Sequence, residues 1–252
     1  MPLILAQPPA IIVPAPRKLL KPRREILFTP AISFISSGRF GAAAPPSLEF
    51  RTSVIDTTSL TTYSFAGVDI GGADPTRRVI VAASINSGSS RSTSSVTIAG
   101  VGATLHTNVA ALDHVSLSSA QVAAGTTATI SVTFSGGGTA GSIGVWRLVN
   151  ETVGTPHATA TDIVISGADL SVSLNVPTNG ALVASVCDDF TGGTGATAWT
   201  GAIEKYDSAF DSVFFQVSGA SETGLSLQTG RTVTATCSGT SPRGSLAVLT
   251  WG

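Results

Sequence analysis

A period of two in the apolar residues constrains this chain more than any other feature. From Tyr63 onward, apolar residues alternate with small polar ones in short runs that glycine, asparagine, aspartate or proline separates. Eleven such runs are YSFAGV, RRVIVAASI, SSVTIAG, TATISVTF, SIGVWRLV, DIVIS, LSVSLNV, GALVASV, SVFFQVSG, RTVTATCS and SLAVLTW. No stretch of twelve or more residues has a convincing 3.6-residue period, which argues against parallel βαβ architecture. The sequence predicts an all-β fold, an antiparallel β-sandwich of jelly-roll type.

The composition changes sharply near residue 46, where we place a boundary. Nine of the thirteen prolines lie in residues 1–46, whereas 25 of the 27 glycines follow them. Because proline fixes φ and lacks a backbone donor, residues 1–46 are predicted to form an extended arm. Residues 47–252 are predicted to form the β-sandwich, either as one domain or as two modules split near Asn150.

The arm and the remainder of the chain carry opposite charges. Residues 1–44 contain six basic residues and one acid, a net charge of +5, and the rest of the chain has a net charge of −6. A secretory signal would place its charges before an unbroken apolar core, whereas here prolines interrupt the apolar stretch and the charges follow it. The sequence therefore does not predict a signal peptide. No later stretch approaches the ~20 apolar residues of a membrane helix, so we expect a soluble protein without a membrane partner.

The arm combines apolar and basic residues that have no core of their own to pack against. We predict that they bind a partner, an acidic protein surface such as neighbouring copies of this chain. The alternatives are a strap across the chain's own sandwich and nucleic-acid binding, which the absence of interleaved aromatic residues disfavours. The predicted contact residues are Leu3, Ile4, Leu5, Ile11, Ile12, Val13, Arg17, Lys18, Lys21, Arg23 and Arg24.

The sequence offers few signals of catalysis. Gly136, Gly138 and Gly141 match G-x-G-x-x-G, but a strand-like run follows them in place of the helix that a dinucleotide site requires, which indicates a hairpin loop. His106, His114 and His157 are scattered, so a hydrolase with a Ser–His–acid triad is the least favoured alternative. The protein is predicted to be non-enzymatic and to need no cofactor.

Metal binding and disulfide bonding are also weakly signalled. Asp188 and Asp189 precede a glycine-rich loop, but two adjacent aspartates are too few ligands for calcium, so a solvated loop is expected. Cys187 and Cys237 lack the neighbours of a zinc site. They either face each other on adjacent strands or, as we favour, remain free and buried.

A sugar-binding sandwich would expose an aromatic platform, and four residues are candidates for it. Trp146 and Trp251 lie in strand-like runs and are expected in the core or at a sheet edge. Trp199 and Tyr206 lie near a glycine-rich loop and are expected to be more exposed, which makes them the candidate glycan contacts. Carbohydrate binding or host recognition is therefore the second functional hypothesis.

The chain resembles a poorly characterised family of β-rich proteins encoded among the structural genes of tailed bacteriophages and prophages, especially those of alphaproteobacteria. The resemblance rests on YSFAGVDIGGADPTRRVIVAASI, SSVTIAGVGATL and IGVWRLV, and it is looser over residues 180–250. It implies a virion protein that the arm anchors to capsid or tail components and whose sandwich projects as a head decoration, spike or fibre module. The resemblance supplies no functional residues.

Overall fold

The computed structural model describes residues 44–166, 169–189, 196–210, 215–238 and 243–252. The predicted arm and its contact residues lie outside this range, except for residues 44–46. Every regular element in the described residues is a β-strand, and the strands form antiparallel sheets, so the all-β sandwich prediction is confirmed. In the described residues, each of the eleven alternating runs falls wholly or partly on a strand.

The first half of the described chain forms two sheets from nine strands. The strands are β1 (Ser47–Asp56), β2 (Thr62–Asp69), β3 (Arg78–Arg91), β4 (Thr93–Ile98), β5 (Val101–Gly102), β6 (Thr104–Asn108), β7 (Ala111–Gln121), β8 (Thr127–Phe134) and β9 (Ala140–Val149). One sheet has the order β1-β9-β3-β7-β6 and is called inner sheet 1. The other has the order β2-β8-β4-β5 and is called outer sheet 1.

The second half repeats this arrangement with eight strands. The strands are β10 (Ala158–Val164), β11 (Leu170–Val176), β12 (Gly180–Asp189), β13 (Thr197–Thr200), β14 (Glu204–Phe210), β15 (Phe215–Leu225), β16 (Gln228–Cys237) and β17 (Arg243–Trp251). Inner sheet 2 has the order β10-β17-β12-β15-β14, and outer sheet 2 has the order β11-β16-β13. Each strand takes the place of one in the first half, with β5 alone lacking a counterpart. Two repeats of one topology therefore meet near Asn150, whose φ of 63° is a left-handed conformation that asparagine tolerates.

Three apolar layers hold the four sheets together. One layer fills the first repeat between its sheets, and another fills the second repeat. The third joins the two inner sheets, packing Ile80 and Trp146 of the first repeat against Leu249 and Trp251 of the second. Trp146 and Trp251 are thus buried, as predicted. The sheets stack in the order outer 1, inner 1, inner 2, outer 2.

Burial along the strands follows from this stacking. The outer strands β2, β8 and β11 alternate between buried and exposed residues, because one face packs on a core and the other meets solvent. The inner strands β9 and β12 are almost continuously buried, because both of their faces pack against apolar layers. Period two is therefore strongest in the outer sheets.

The glycine-rich loop at residues 135–139 corrects one expectation. A strand follows it, as predicted, but β8 and β9 belong to different sheets, so the loop crosses between sheets and is not a hairpin. A Cβ at Gly138 would lie 2.4 Å from the Asn86 carbonyl oxygen. The glycine is needed because the loop passes directly over β3.

The structure settles the state of the two cysteines. Cys187 lies on β12 and Cys237 on β16, which belong to different sheets, and both thiols are free. Cys187 is buried and Cys237 is half-buried. The favoured prediction of free cysteines is confirmed. Separately, the described residues contain no helix long and apolar enough to cross a membrane.

Candidate functional site

The expectation that Tyr206 is exposed is wrong. Tyr206 is only 9% exposed, and its ring stacks on Phe50 with the centroids 5.4 Å apart. Its hydroxyl lies 3.1 Å from the Ser185 hydroxyl, and burial raises the pKa of the phenol. A Cβ at Gly219 would lie 2.2 Å from the ring, so this glycine makes room for it. Tyr206 is a packing residue between the repeats and is not positioned to stack on a sugar.

Trp199 is half-buried on β13 of outer sheet 2. Its indole Nε1 donates a hydrogen bond of 2.8 Å to the Ser218 hydroxyl, and its ring packs against the core of the second repeat. The large hydrophobic residues that are exposed in the described part of the chain are all aliphatic. The two predicted glycan contacts therefore do not form an exposed aromatic platform.

Two histidines pair with hydroxyl groups, which is the arrangement closest to a catalytic site. His106 Nε2 lies 2.7 Å from the Ser119 hydroxyl, and His114 Nε2 lies 3.0 Å from the Thr93 hydroxyl. The second nitrogen of His114 bonds the Val109 carbonyl oxygen, and no carboxylate among the described residues bonds either ring. Burial lowers the pKa of both imidazoles to about 4, and the neighbouring Arg78 contributes to the shift of His106. This environment disfavours the imidazolium that a Ser–His hydrolase must form.

Asp188 is a buried carboxylate at the end of β12. It is 0% exposed, and neither carboxylate oxygen accepts a hydrogen bond from a nitrogen or hydroxyl group of the described residues. Burial raises its pKa to about 6, although a hydrogen bond from the Cys237 thiol opposes the shift. The loop that follows Asp189 lies outside the described residues. Within them, no group of three or more His, Cys, Asp or Glu side chains is arranged to hold a metal ion.

A concave feature runs along one margin of the junction between the inner sheets. Its walls are residues 106–112 of the first repeat and residues 159–165 of the second, and we call it the seam groove. It contains two adjoining hollows of about 280 and 210 Å³. The larger hollow is lined mainly by aliphatic side chains, including Leu112, Ile163 and Ile165.

The seam groove lies between two free sheet edges. β6 is the last strand of inner sheet 1, and β10 is the first strand of inner sheet 2, so each pairs with a strand on one side only. β10 pairs with β17 over seven residues without a bulge. Ile163 is 38% exposed and Ile165 is 84% exposed on this wall, and Val109 is 39% exposed on the other.

A charged cluster forms the floor of the larger hollow. Arg243 Nε donates to Asp113 at 3.1 Å, and Arg243 also pairs with Asp189. Asn86 donates from its amide to the other oxygen of Asp113 at 2.9 Å. Burial, reinforced by Asp189, raises the pKa of Asp113 to about 7, although Arg243 opposes the shift. The cluster ties the ends of the two inner sheets together.

The opposite margin of the junction carries a second groove between β1 and β14. Residues 48–50, 203, 205 and 221–223 line this entry groove, which has a volume of about 570 Å³ and a mixed charge. The described chain begins beside it. The Pro46 carbonyl oxygen accepts a hydrogen bond from the Thr223 hydroxyl at 3.3 Å, and the Pro45 carbonyl oxygen accepts one from the Asn150 amide at 3.4 Å.

Sequence reasoning placed Ile163 on a strand but missed the groove. The only local signal is the run DIVIS, in which Ile163 and Val164 are apolar on opposite faces of the edge strand β10 and Ile165 directly follows it. The charged floor gave no signal, because Asp113, Asp189 and Arg243 are far apart in sequence. Comparison with protein-family models, with curated proteins and with solved structures finds no match for this chain.

Proposed function

We propose that this protein is a non-enzymatic structural component of a bacteriophage virion. Its N-terminal arm attaches it to other virion proteins or to copies of itself, and its paired sandwiches form the displayed module. The supporting observation is the apolar layer between the inner sheets, which joins the two repeats into one compact unit. A unit of this kind suits a decoration, spike or fibre module that must keep its shape.

The outer faces support the same proposal. The exposed residues of the outer sheets are mostly small hydroxyl and amide side chains, as in β8, β11 and β16. Such faces keep a displayed module soluble without forming a binding cleft. Jelly-roll sandwiches are common in viral capsid and lectin domains, which is an argument by analogy of fold alone.

The distribution of charge supports a protein partner for the arm. Residues 45–150 contain five basic and five acidic residues, whereas residues 151–252 contain three basic and nine acidic ones, a net charge of −6. The acidic excess of the body therefore lies entirely in the second repeat. A basic arm and an acidic repeat on neighbouring copies attract each other, and this attraction favours assembly over nucleic-acid binding.

Deletion of residues 2–42 tests the proposal, because residues 43–252 form a compact unit with its own apolar layers. We expect the truncated protein to fold with an unchanged β-sheet circular dichroism spectrum. In cells that produce particles, we expect it to be absent from particles purified on a density gradient. Normal incorporation of the folded, truncated protein would overturn the proposal.

The two alternatives find less support in the described residues. The glycan hypothesis lacks an exposed aromatic platform, because Tyr206 is buried and Trp199 is half-buried and hydrogen-bonded. The hydrolase hypothesis lacks a carboxylate on either histidine that pairs with a hydroxyl. A glycan array and an esterase assay on the intact chain test them, and a positive result in either would favour that class.

A further inference from the structure

We propose that the seam groove binds the arm of a second copy of this chain, with residues 10–13 adding a strand to the free edge of β10. The inference rests on the proposed function, in which the arm is an attachment segment. It specifies one partner, a second copy, and one receiving surface.

The edge of β10 is available for strand addition. Proteins commonly protect edge strands with charged side chains, especially lysine, or with proline, bulges or a covering loop. β10 contains neither lysine nor proline, and Asp162 is its one charged residue. Its pairing with β17 is regular, and no described strand pairs with its other side. An extended peptide can therefore satisfy the free backbone groups of this edge.

The side chains on the groove walls match the apolar tracts of the arm. Ile163, Ile165 and Val109 are aliphatic and exposed, and the hollow beside them is lined mainly by aliphatic residues. The arm tract Ala10, Ile11, Ile12 and Val13 is aliphatic and contains no proline, whereas Pro9 and Pro14 bound it. Four residues span ~13 Å as a strand and β10 spans ~23 Å, so the tract fits along the edge.

Charge complementarity favours the same placement. Asp162 lies on β10 next to the groove-lining residues, its carboxylate accepts hydrogen bonds from the amides of Ile163 and of Ser171 on β11, and no described cation pairs with it. The basic cluster of the arm begins at Arg17, four residues after Val13, which is ~13 Å of extended chain. A tract bound on β10 therefore brings its cations onto the acidic second repeat.

The geometry also gives the association a direction. The described chain begins beside the entry groove, at the margin opposite the seam groove. A copy that sends its arm from one margin into the opposite margin of a neighbour makes a head-to-tail contact. Such contacts generate rings when they close and filaments when they do not. This behaviour suits a component of a ring or fibre.

Photo-crosslinking tests the placement on the full-length chain. A benzoylphenylalanine at position 12, in an equimolar mixture of ¹⁴N- and ¹⁵N-labelled protein, is expected to give crosslinks to residues 109–112 and 163–165. Half of the crosslinked peptide pairs should combine one light and one heavy chain. Crosslinks at other surfaces, or pairs that are exclusively light–light and heavy–heavy, would overturn the inference.

Edge-charging variants provide the second readout. Ile165→Lys and Val109→Lys place a cation on the groove walls at exposed positions, so folding should be preserved. We expect each to weaken self-association at least tenfold in sedimentation velocity. Leu227→Lys, at an exposed position outside the groove, is the matched control and should leave it unchanged.

The outcomes separate this inference from the proposed function. In one outcome, deletion of residues 2–42 abolishes incorporation into particles, while Ile165→Lys and Val109→Lys leave both self-association and incorporation unchanged. The seam groove is then not the receiving surface, but the arm still attaches the protein to the particle. If the deletion has no effect on incorporation, the proposed function fails. Crosslinks from position 12 to a second copy's seam groove would then still establish self-association through the arm.

Discussion

At the scale of single residues, the fold buries two carboxylates, Asp113 at the junction of the inner sheets and Asp188 on the face of β12 that packs toward outer sheet 2. Asp113 and Asp188 are both removed from solvent, and burial raises the pKa of Asp113 to about 7 and that of Asp188 to about 6. Asp113 has Arg243 and Asn86 as hydrogen-bond partners, whereas Asp188 has only the Cys237 thiol, which opposes the rise of its pKa, and the carboxylates of Asp189 and Asp207 reinforce that rise. Asp188 therefore imposes a cost on folding when it is ionised.

The first prediction concerns Asp188→Asn and the pH dependence of stability. The pKa of Asp188 is higher in the folded protein than in the unfolded chain, so the folded state holds more protons between pH 4 and 6, and stability falls as pH rises through that range. The neutral asparagine removes this loss. We expect Asp188→Asn to raise the free energy of unfolding at pH 8 by ~2–3 kcal/mol and to flatten its slope between pH 4 and 6.

Urea unfolding of the wild type and the variant at a series of pH values measures this effect. Asp169→Asn, which removes a charge from the exposed surface, is the control and should leave the slope almost unchanged. An unchanged slope between pH 4 and 6 in Asp188→Asn would contradict this prediction.

At the scale of elements, the Ser245 side chain is one of the polar links between the two inner sheets. The Ser245 hydroxyl on β17 donates to the Asp113 carbonyl oxygen at 2.6 Å and accepts from the Val115 amide at 2.9 Å, so it satisfies the backbone of β7 across the junction. Ser245→Ala leaves a buried amide and a buried carbonyl without this partner. We expect a loss of ~1–3 kcal/mol in the free energy of unfolding.

Chemical denaturation of Ser245→Ala measures this loss. Ser171→Ala is the matched control, because the Ser171 hydroxyl also pairs across strands, with Thr234 at 2.9 Å, but on the exposed face of outer sheet 2. Water replaces the lost partner there, so we expect almost no change. Equal effects of the two substitutions would contradict a structural role for the link between the inner sheets.

At the scale of the whole molecule, the shared apolar layer predicts cooperative unfolding of the two repeats. Residues 43–252 form one compact unit, and separating the repeats would expose Ile80, Trp146, Leu249 and Trp251 to water. We expect residues 43–252 to unfold in a single calorimetric transition, with the van't Hoff enthalpy equal to the calorimetric enthalpy. Two transitions, or a soluble monomeric first repeat expressed alone, would contradict this prediction.

The sequence alone determined the local β structure of this protein. The alternation of apolar and polar residues predicted β8 and β11 at their observed bounds, because these outer strands have one solvated face and the period-two pattern records it. It missed β7, whose run ALDHVSLSSAQ is buried almost throughout with its serines, His114 and Asp113 inside. Buried polar residues interrupt the apolar pattern of this strand, whereas β9 and β12, which are also buried on both faces, are rich in apolar residues and were predicted.

Only the tertiary structure decided how the sheets combine and what lies where they meet. Tyr206 stacks on Phe50 of the other repeat because inner sheet 2 packs against inner sheet 1. No local pattern encodes this packing, so the sequence could not show whether Tyr206 faces solvent. The seam groove likewise exists because the free edges of β6 and β10 are brought side by side, although many residues separate them in the chain. Strand formation follows from short-range alternation, whereas the junction follows from contacts between distant segments. For this physical reason the sequence predicted the strands but not the junction.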